Sequence, residues 1–166
     1  GVIGLGFGET HLKSYNSIKK CKIFKICDLV ENKKDIEKKY KTKFTNNARN
    51  IIFDKKIDVV STASYDNFHA KMLIDSIEQN KHVFVEKPLC TNFLDLKKIK
   101  NVLDKNKSKK ILTNMVLRNH PKFLKVKKLI SSGKIGKIYH IEGEYNYGRF
   151  HKLTNGWRGD LKNYSV

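Results

Sequence analysis

Along most of this 166-residue chain, short apolar runs alternate with longer amphipathic stretches, and few architectures can bury that alternation. Residues 2–5 predict a strand feeding a glycine-rich turn, 9–17 a helix, 22–28 a second strand, and 31–40 a helix rich in Lys and Glu. A buried strand follows at 57–62, a helix at 67–79 and another strand at 81–85. Apolar side chains at 93, 94, 96, 99, 102 and 103 give residues 91–105 a helical period, and 111–114 returns to strand. Because parallel neighbours need a long crossover, usually a helix, the expected fold class is α/β with a doubly wound parallel sheet. Beyond it the pattern changes. Pro121 is placed to open a helix carrying Phe123, Leu124, Val126, Leu129 and Ile130 on one face, with Gly133 at its end. Residues 137–147 then alternate apolar and polar side chains, which predicts a half-exposed strand and the beginning of a second, α+β domain near Arg118.

A formal net charge of +19 raises the question of nucleic acid. Its distribution argues against it: residues 1–55, 56–110 and 111–166 carry +7, +4 and +8, so no segment owns the charge. Only Arg49, Arg118, Arg149 and Arg158 are arginines, although arginine is the usual reader of base edges and phosphate forks. Abundant Lys, Asn and Ile fit AT-biased coding, and no nucleic-acid partner is expected. No apolar run approaches the ~18–20 residues of a membrane helix, so no membrane partner is expected either. Cys21, Cys27 and Cys90 form no C-x-x-C pair, which fits buried thiols in a reducing compartment, a cytoplasmic location and no metal. The chain opens on Gly1 in mid-strand without Met, so a short leading piece is expected before it.

Gly4-Leu5-Gly6-Phe7-Gly8 joins the first strand to the first helix. The first glycine permits a tight turn, the second lets backbone N–H groups approach a pyrophosphate, and the helix N-terminus adds favourable partial charge. G-x-G-x-x-G would need glycine at position 9, which is Glu9, so either Gly8 does the third job or that position is substituted. The same short turn occurs in S-adenosylmethionine methyltransferases. Asp28 ends the second predicted strand, where a carboxylate accepts hydrogen bonds from ribose hydroxyls, although aspartate also favours turns and helix caps. With the glycine turn before it, ribose binding is the stronger reading. A carboxylate there repels a 2′-phosphate and so favours NAD over NADP, a preference that Lys33 and Lys34 weaken.

Glu86-Lys87-Pro88 directly follows the strand predicted at 81–85. At this triplet the chain resembles the Gfo/Idh/MocA family of sugar and polyol oxidoreductases, whose hallmark is E-K-P at the carboxyl end of a Rossmann strand. Residues 1–8 with His11-Leu12, residues 57–64 leading to His69-Ala70, Arg118 with Pro121, residues 133–138 and Trp157-Arg158 are similar to family segments in the same order. The resemblance implies a Rossmann-type NAD(P)-binding domain at 1–117 and the incomplete start of a C-terminal substrate and dimerisation domain at 118–166. It places Gly4, Leu5, Gly6, Phe7, Gly8, Asp28, Ser64, His69, Glu86 and Lys87 at the cofactor, with Lys87 catalytic, and Arg118, Trp157 and Arg158 on the substrate side.

An open α/β sheet binds ligands beyond the carboxyl ends of its strands, so Lys87 would face that cleft. Its ammonium would stabilise developing alkoxide character on the oxygen being oxidised or formed, with Glu86 orienting it and Pro88 fixing the backbone. The resemblance also implies a cis Lys87–Pro88 bond and a homo-oligomer. His69 either touches the cofactor or packs on the helix it begins; the sequence leaves both open. Ser64-Tyr65-Asp66 stands where the family often has Thr-Pro-Asn, and Val116 where it often has Asn before the Arg. The family's D-x-x-x-H acid/base pair has no counterpart before Val166, none of His120, His140 and His151 having an Asp four residues earlier. The function expected is that of an oxidoreductase fragment, inactive alone, whose complete protein transfers hydride between NAD, or NADP, and the CH–OH of a sugar, amino-sugar or cyclitol. The rival readings are a non-catalytic dinucleotide-binding sensor on the same scaffold and a methyltransferase.

Overall fold

The computed structural model describes residues 1–29 and 34–160. Its sheet has six strands: β1 (Val2–Ile3), β2 (Lys25–Cys27), β3 (Lys43–Thr45), β4 (Val59–Thr62), β5 (His82–Val85) and β6 (Ile111–Thr113). They lie in the order β3-β2-β1-β4-β5-β6, every pair parallel, which is the doubly wound architecture expected. The helices are α1 (Leu5–Asn16), α2 (Lys34–Tyr40), α3 (Arg49–Ile52), α4 (His69–Glu78), α5 (Phe93–Lys105), α6 (Pro121–Ser131) and α7 (His151–Thr154).

Register turns the two-residue period of the strands into two chemically different faces. Val2, Ile26, Ser61, Phe84 and Leu112 are cross-strand neighbours on one face, and Ile3, Cys27, Thr62, Val85 and Thr113 on the other. On the first face Val2 and Ile26 pack with Leu5 and Leu12 of α1 and Tyr40 of α2. On the second, Ile3, Cys27 and Val60 pack with Ile51 and Ile52 of α3, while Val83 and Val85 pack with Leu73 and Ile77 of α4 and Ile99 and Val102 of α5. The winding reverses between β1 and β4, and a crevice opens beyond their carboxyl ends.

Several boundaries differ from those the sequence predicts. The first helix starts at Leu5, because Gly4 at φ 85° completes the turn alone and leaves Gly6 and Gly8 inside the helix. The second strand is shorter than 22–28, with residues 22–24 outside the ladder. Residues 31–33 of the helix expected at 31–40, Lys33 among them, and the side chain of Lys34 lie outside the described residues. The pair β3 and α3 was not expected, being only three and four residues long. Cys21 is exposed and Cys90 half-buried, so Cys27 alone is a buried thiol.

The largest correction concerns residues 137–147, which form no strand. Every residue from 131 to 150 is exposed, and alternation assigns faces to a strand without supplying the neighbouring backbone that a ladder needs. Helix α6 forms as expected, with Pro121 in its first turn, His120 Nδ1 accepting the Lys122 N–H, and Gly133 beyond its end at φ 70°.

Candidate functional site

Beyond the carboxyl ends of β1, β2, β4 and β5 lies a cavity of about 610 Å³. Gly4, Gly6, Phe7, Asp28, Ser64, His69, Glu86, Lys87, Trp157 and Arg158 all line it, so the tertiary structure gathers most residues that the sequence singled out. Leu5, Gly8 and Arg118 do not. Leu5, the first residue of α1, is buried, and Arg118 sits exposed in a 3-10 turn at Val116–Asn119. Gly8 faces the sheet: a Cβ there would stand 3.1 Å from Val2 Cγ1 and 3.5 Å from the Ala63 Cβ. It therefore does the third glycine's job of bringing helix and strand together, and Glu9 turns away to an ion pair with Lys39 at 3.0 Å.

The glycine turn is held by backbone. Gly4 N–H donates to the Cys27 carbonyl at 2.8 Å, so the turn is tied to β2. Leu5 N–H donates to Asp28 Oδ2 at 2.7 Å. Asp28 thus stabilises the N-terminus of α1 and also lines the cavity. Gly6 has open space where a Cβ would be, which leaves room for a phosphate to approach the first turn of α1. Among the cavity walls, burial and the neighbouring Asp28 charge push the Cys27 thiol up to about 11, so it stays protonated near neutrality and is no nucleophile.

Two loops meet at His69. This imidazole is 1% exposed, with Nδ1 2.7 Å from the Pro88 carbonyl and Nε2 3.1 Å from the Ser64 carbonyl. It braces the loop after β4 against the loop after β5, so its packing role is clear while its edge still borders the cavity. The Lys87–Pro88 peptide is cis. Lys87 itself is exposed to the cavity. Glu86 contacts it through the backbone: its carboxylate accepts the Lys87 N–H at 3.3 Å. Its other partners are His11 Nε2 at 2.9 Å and Asn114 Nδ2 at 2.6 Å, both on Oε1. Burial alone would raise the Glu86 pKa, but the hydrogen bonds from His11 and Asn114 outweigh it and hold the carboxyl below the ordinary glutamate range.

Tyr65 closes one side of the cavity. Its ring stacks on Trp157 at 4.9 Å and 19°, the Arg158 guanidinium lies 4.4 Å from the Trp157 ring, and Phe68 flanks Tyr65 at 6.5 Å. The loop residues Asn46 and Ala48, which also line the cavity, were not expected there, because they follow β3, which the sequence pattern does not reveal. Among the described residues no cluster of His, Cys, Asp and Glu is arranged to hold a metal ion.

The chain matches the model of an oxidoreductase family with an NAD-binding Rossmann fold over residues 1–114. It is 27% identical over 150 residues to inositol 2-dehydrogenase from Salmonella typhimurium, covering 87% of this chain and 45% of that protein. With myo-inositol 2-dehydrogenase from Thermotoga maritima it shares 32% over 146 residues, 82% of this chain and 42% of the other. Among solved structures, scyllo-inositol dehydrogenase from Lactobacillus casei with bound NAD(H) and scyllo-inositol superposes with a TM-score of 0.76 at 25% identity, covering 83% of this chain and 42% of that one. The chain thus spans less than half the length of these relatives. A methyltransferase is not favoured by any of these matches, and no helix among the described residues is long and apolar enough to cross a membrane. Fold, glycine turn, Glu86-Lys87-Pro88 and the family match over residues 1–114 agree: the chain belongs to the Gfo/Idh/MocA oxidoreductase family, and this is its NAD-binding Rossmann domain.

Proposed function

We propose that the protein carrying this chain is an NAD(P)-dependent oxidoreductase that interconverts a CH–OH group and a carbonyl on a small cyclitol or sugar. The observation that carries the proposal is the cavity itself, in which the glycine turn, Asp28 and Lys87 line one continuous space. The inositol-dehydrogenase relatives support the choice of a cyclitol. In this reading residues 1–117 hold the cofactor and 118–166 begin the substrate side.

When bound, the cofactor supplies a nicotinamide carbon that accepts or gives up hydride. The chain's own residues do the rest. Backbone N–H groups at the start of α1 face the pyrophosphate, and Asp28 accepts from the adenosine ribose hydroxyls. An NAD preference follows, because a 2′-phosphate would meet the Asp28 carboxylate. Lys87 donates a hydrogen bond and positive charge to the reacting oxygen, which carries alkoxide character once its proton has left in oxidation or as hydride arrives in reduction. Trp157 and Arg158, lining the same cavity, contact the substrate. Arg118 stands outside this cavity.

Lys87→Ala tests this. Turnover of myo- or scyllo-inositol should fall by roughly 10²–10³, the usual cost of removing one donor to a developing oxyanion, while the Kd for NADH, read by fluorescence titration, stays within about threefold. Undiminished turnover would remove Lys87 from the chemistry. Calorimetric titration with NADH, NADPH and S-adenosylmethionine should show binding in that order of affinity, with none for the last.

A further inference from the structure

Behind Glu86 runs a line of polar side chains, buried except at half-buried Tyr15, that the proposed chemistry does not use directly. Tyr15 O–H donates to Ser61 Oγ at 3.1 Å, Ser61 Oγ lies 2.9 Å from His11 Nδ1, and His11 Nε2 lies 2.9 Å from Glu86 Oε1. His11 is 6%, Ser61 1% and Glu86 8% exposed. These residues come from α1, from β4 and from the segment after β5, and Asn114, after β6, adds a second donor to the same carboxylate oxygen.

The direction of every proton follows from the chemistry of the groups. An ionised carboxylate only accepts, so His11 must present Nε2–H to Glu86. In the neutral imidazole that leaves a lone pair on Nδ1, which Ser61 satisfies with its hydroxyl proton, and Ser61 Oγ in turn accepts from Tyr15. Every hydrogen bond in the line therefore points toward Glu86. Filling the space between α1 and the sheet would not need such a line, because an apolar pair of similar volume is usually at least as stable as buried charged and polar groups. What the line does is hold one carboxylate ionised in one place, at the wall of the cavity, with its second oxygen on the Lys87 N–H.

We propose that His11 is a positioning residue, acting through Glu86 to set the backbone that carries Lys87, with Ser61 and Tyr15 fixing its tautomer. The proposal rests on the reading of Lys87 given above. Helix α1 then serves both ends of the cavity: its first turn faces the phosphates and is tied to Asp28, and His11, further along the same helix, registers the lysine end.

The test compares His11→Phe, which keeps the ring's bulk and loses its donor, with His11→Gln, whose amide can still reach Glu86, in the intact protein beside Lys87→Ala. His11→Phe should lower kcat roughly tenfold to a hundredfold, the scale of a small misplacement at a reacting centre, with the Kd for NADH changed by less than about threefold; His11→Gln should recover most of the loss. Equal kcat for His11→Phe and the unaltered protein, with Lys87→Ala inactive, would overturn the positioning role and leave Lys87 standing. Equal losses in the two His11 variants would also overturn it, because shape and not donation would then matter. Full activity of Lys87→Ala would bring down the reading of the site and the proposal with it. A readout independent of activity and of any substitution is the 15N spectrum of histidine-labelled chain. His11 should be the Nε2–H tautomer, and an Nδ1–H tautomer would overturn the assignment.

Discussion

At Gly4 a side chain has nowhere to go. The backbone there lies at φ 85°, and a Cβ would run into the carbonyl group of Ala63, whereas at Gly6 nothing stands within 4 Å. The two glycines therefore stand in different surroundings, Gly4 against backbone and Gly6 beside open space. Gly4→Ala should cost about 2 kcal/mol or more in urea denaturation, from backbone strain before any clash is counted. Gly6→Ala, inside α1, should leave stability unchanged or raise it by about 0.5–1 kcal/mol and still weaken NADH binding, because the added methyl occupies the approach of the phosphate. Glu86 carries a pH signature at the same scale. Its pKa is lower in the folded state than its unfolded value of about 4.3, so its contribution to stability is complete above that pH and is lost as pH falls through the folded value. Glu86→Gln should flatten that part of the acid-denaturation profile, a change read from urea midpoints at successive pH values. These residues were legible in sequence because a special backbone position and a short motif mark them. His11 was visible only as part of a motif, and its hydrogen bonds to strands far along the chain have no local signal.

Among the elements, those with a strong period and a cap were the readable ones. Helix α5 shows why: Asn92 accepts the Asp95 N–H at 2.8 Å and donates to the Asp95 carboxylate at 2.7 Å, while Ile99 and Val102 supply the buried face. Asn92→Ala should lower stability by about 1 kcal/mol with cofactor affinity unchanged, measured by thermal melting and NADH titration. The elements that escaped are short and locally held. Arg49 N–H, at the start of α3, donates to Asn47 Oδ1, and Asn47 N–H donates to Thr45 Oγ1, so side-chain turns do what periodicity does elsewhere. Residues 137–147 failed in the opposite way. Their pattern is that of a strand, but a ladder is a property of two segments, and the described residues offer this one no neighbour.

For the molecule as a whole, the cavity joins residues that are remote in sequence, from Gly4 to Arg158. Trp157 is the single tryptophan of the chain and stacks on Tyr65 at the cavity wall, so NADH binding should quench its emission, and Tyr65→Ala should alter that signal even where affinity is kept. As far as β6 and apart from β3 and α3, the order of strands and helices was determined by sequence alone, as were the glycine turn and the Glu86-Lys87-Pro88 triplet, since periodicity, φ preference and local motif chemistry are properties of neighbouring residues. The charge of +19 added nothing to this, because its lysines are scattered along the chain and no segment owns it. Only the tertiary structure decided that Asp28 caps α1 while lining the cavity, that His69 braces two loops, and that Glu86 answers to His11 and Asn114. Each of those depends on distances across the sheet, which the parallel register of β1, β4, β5 and β6 sets and no single segment contains.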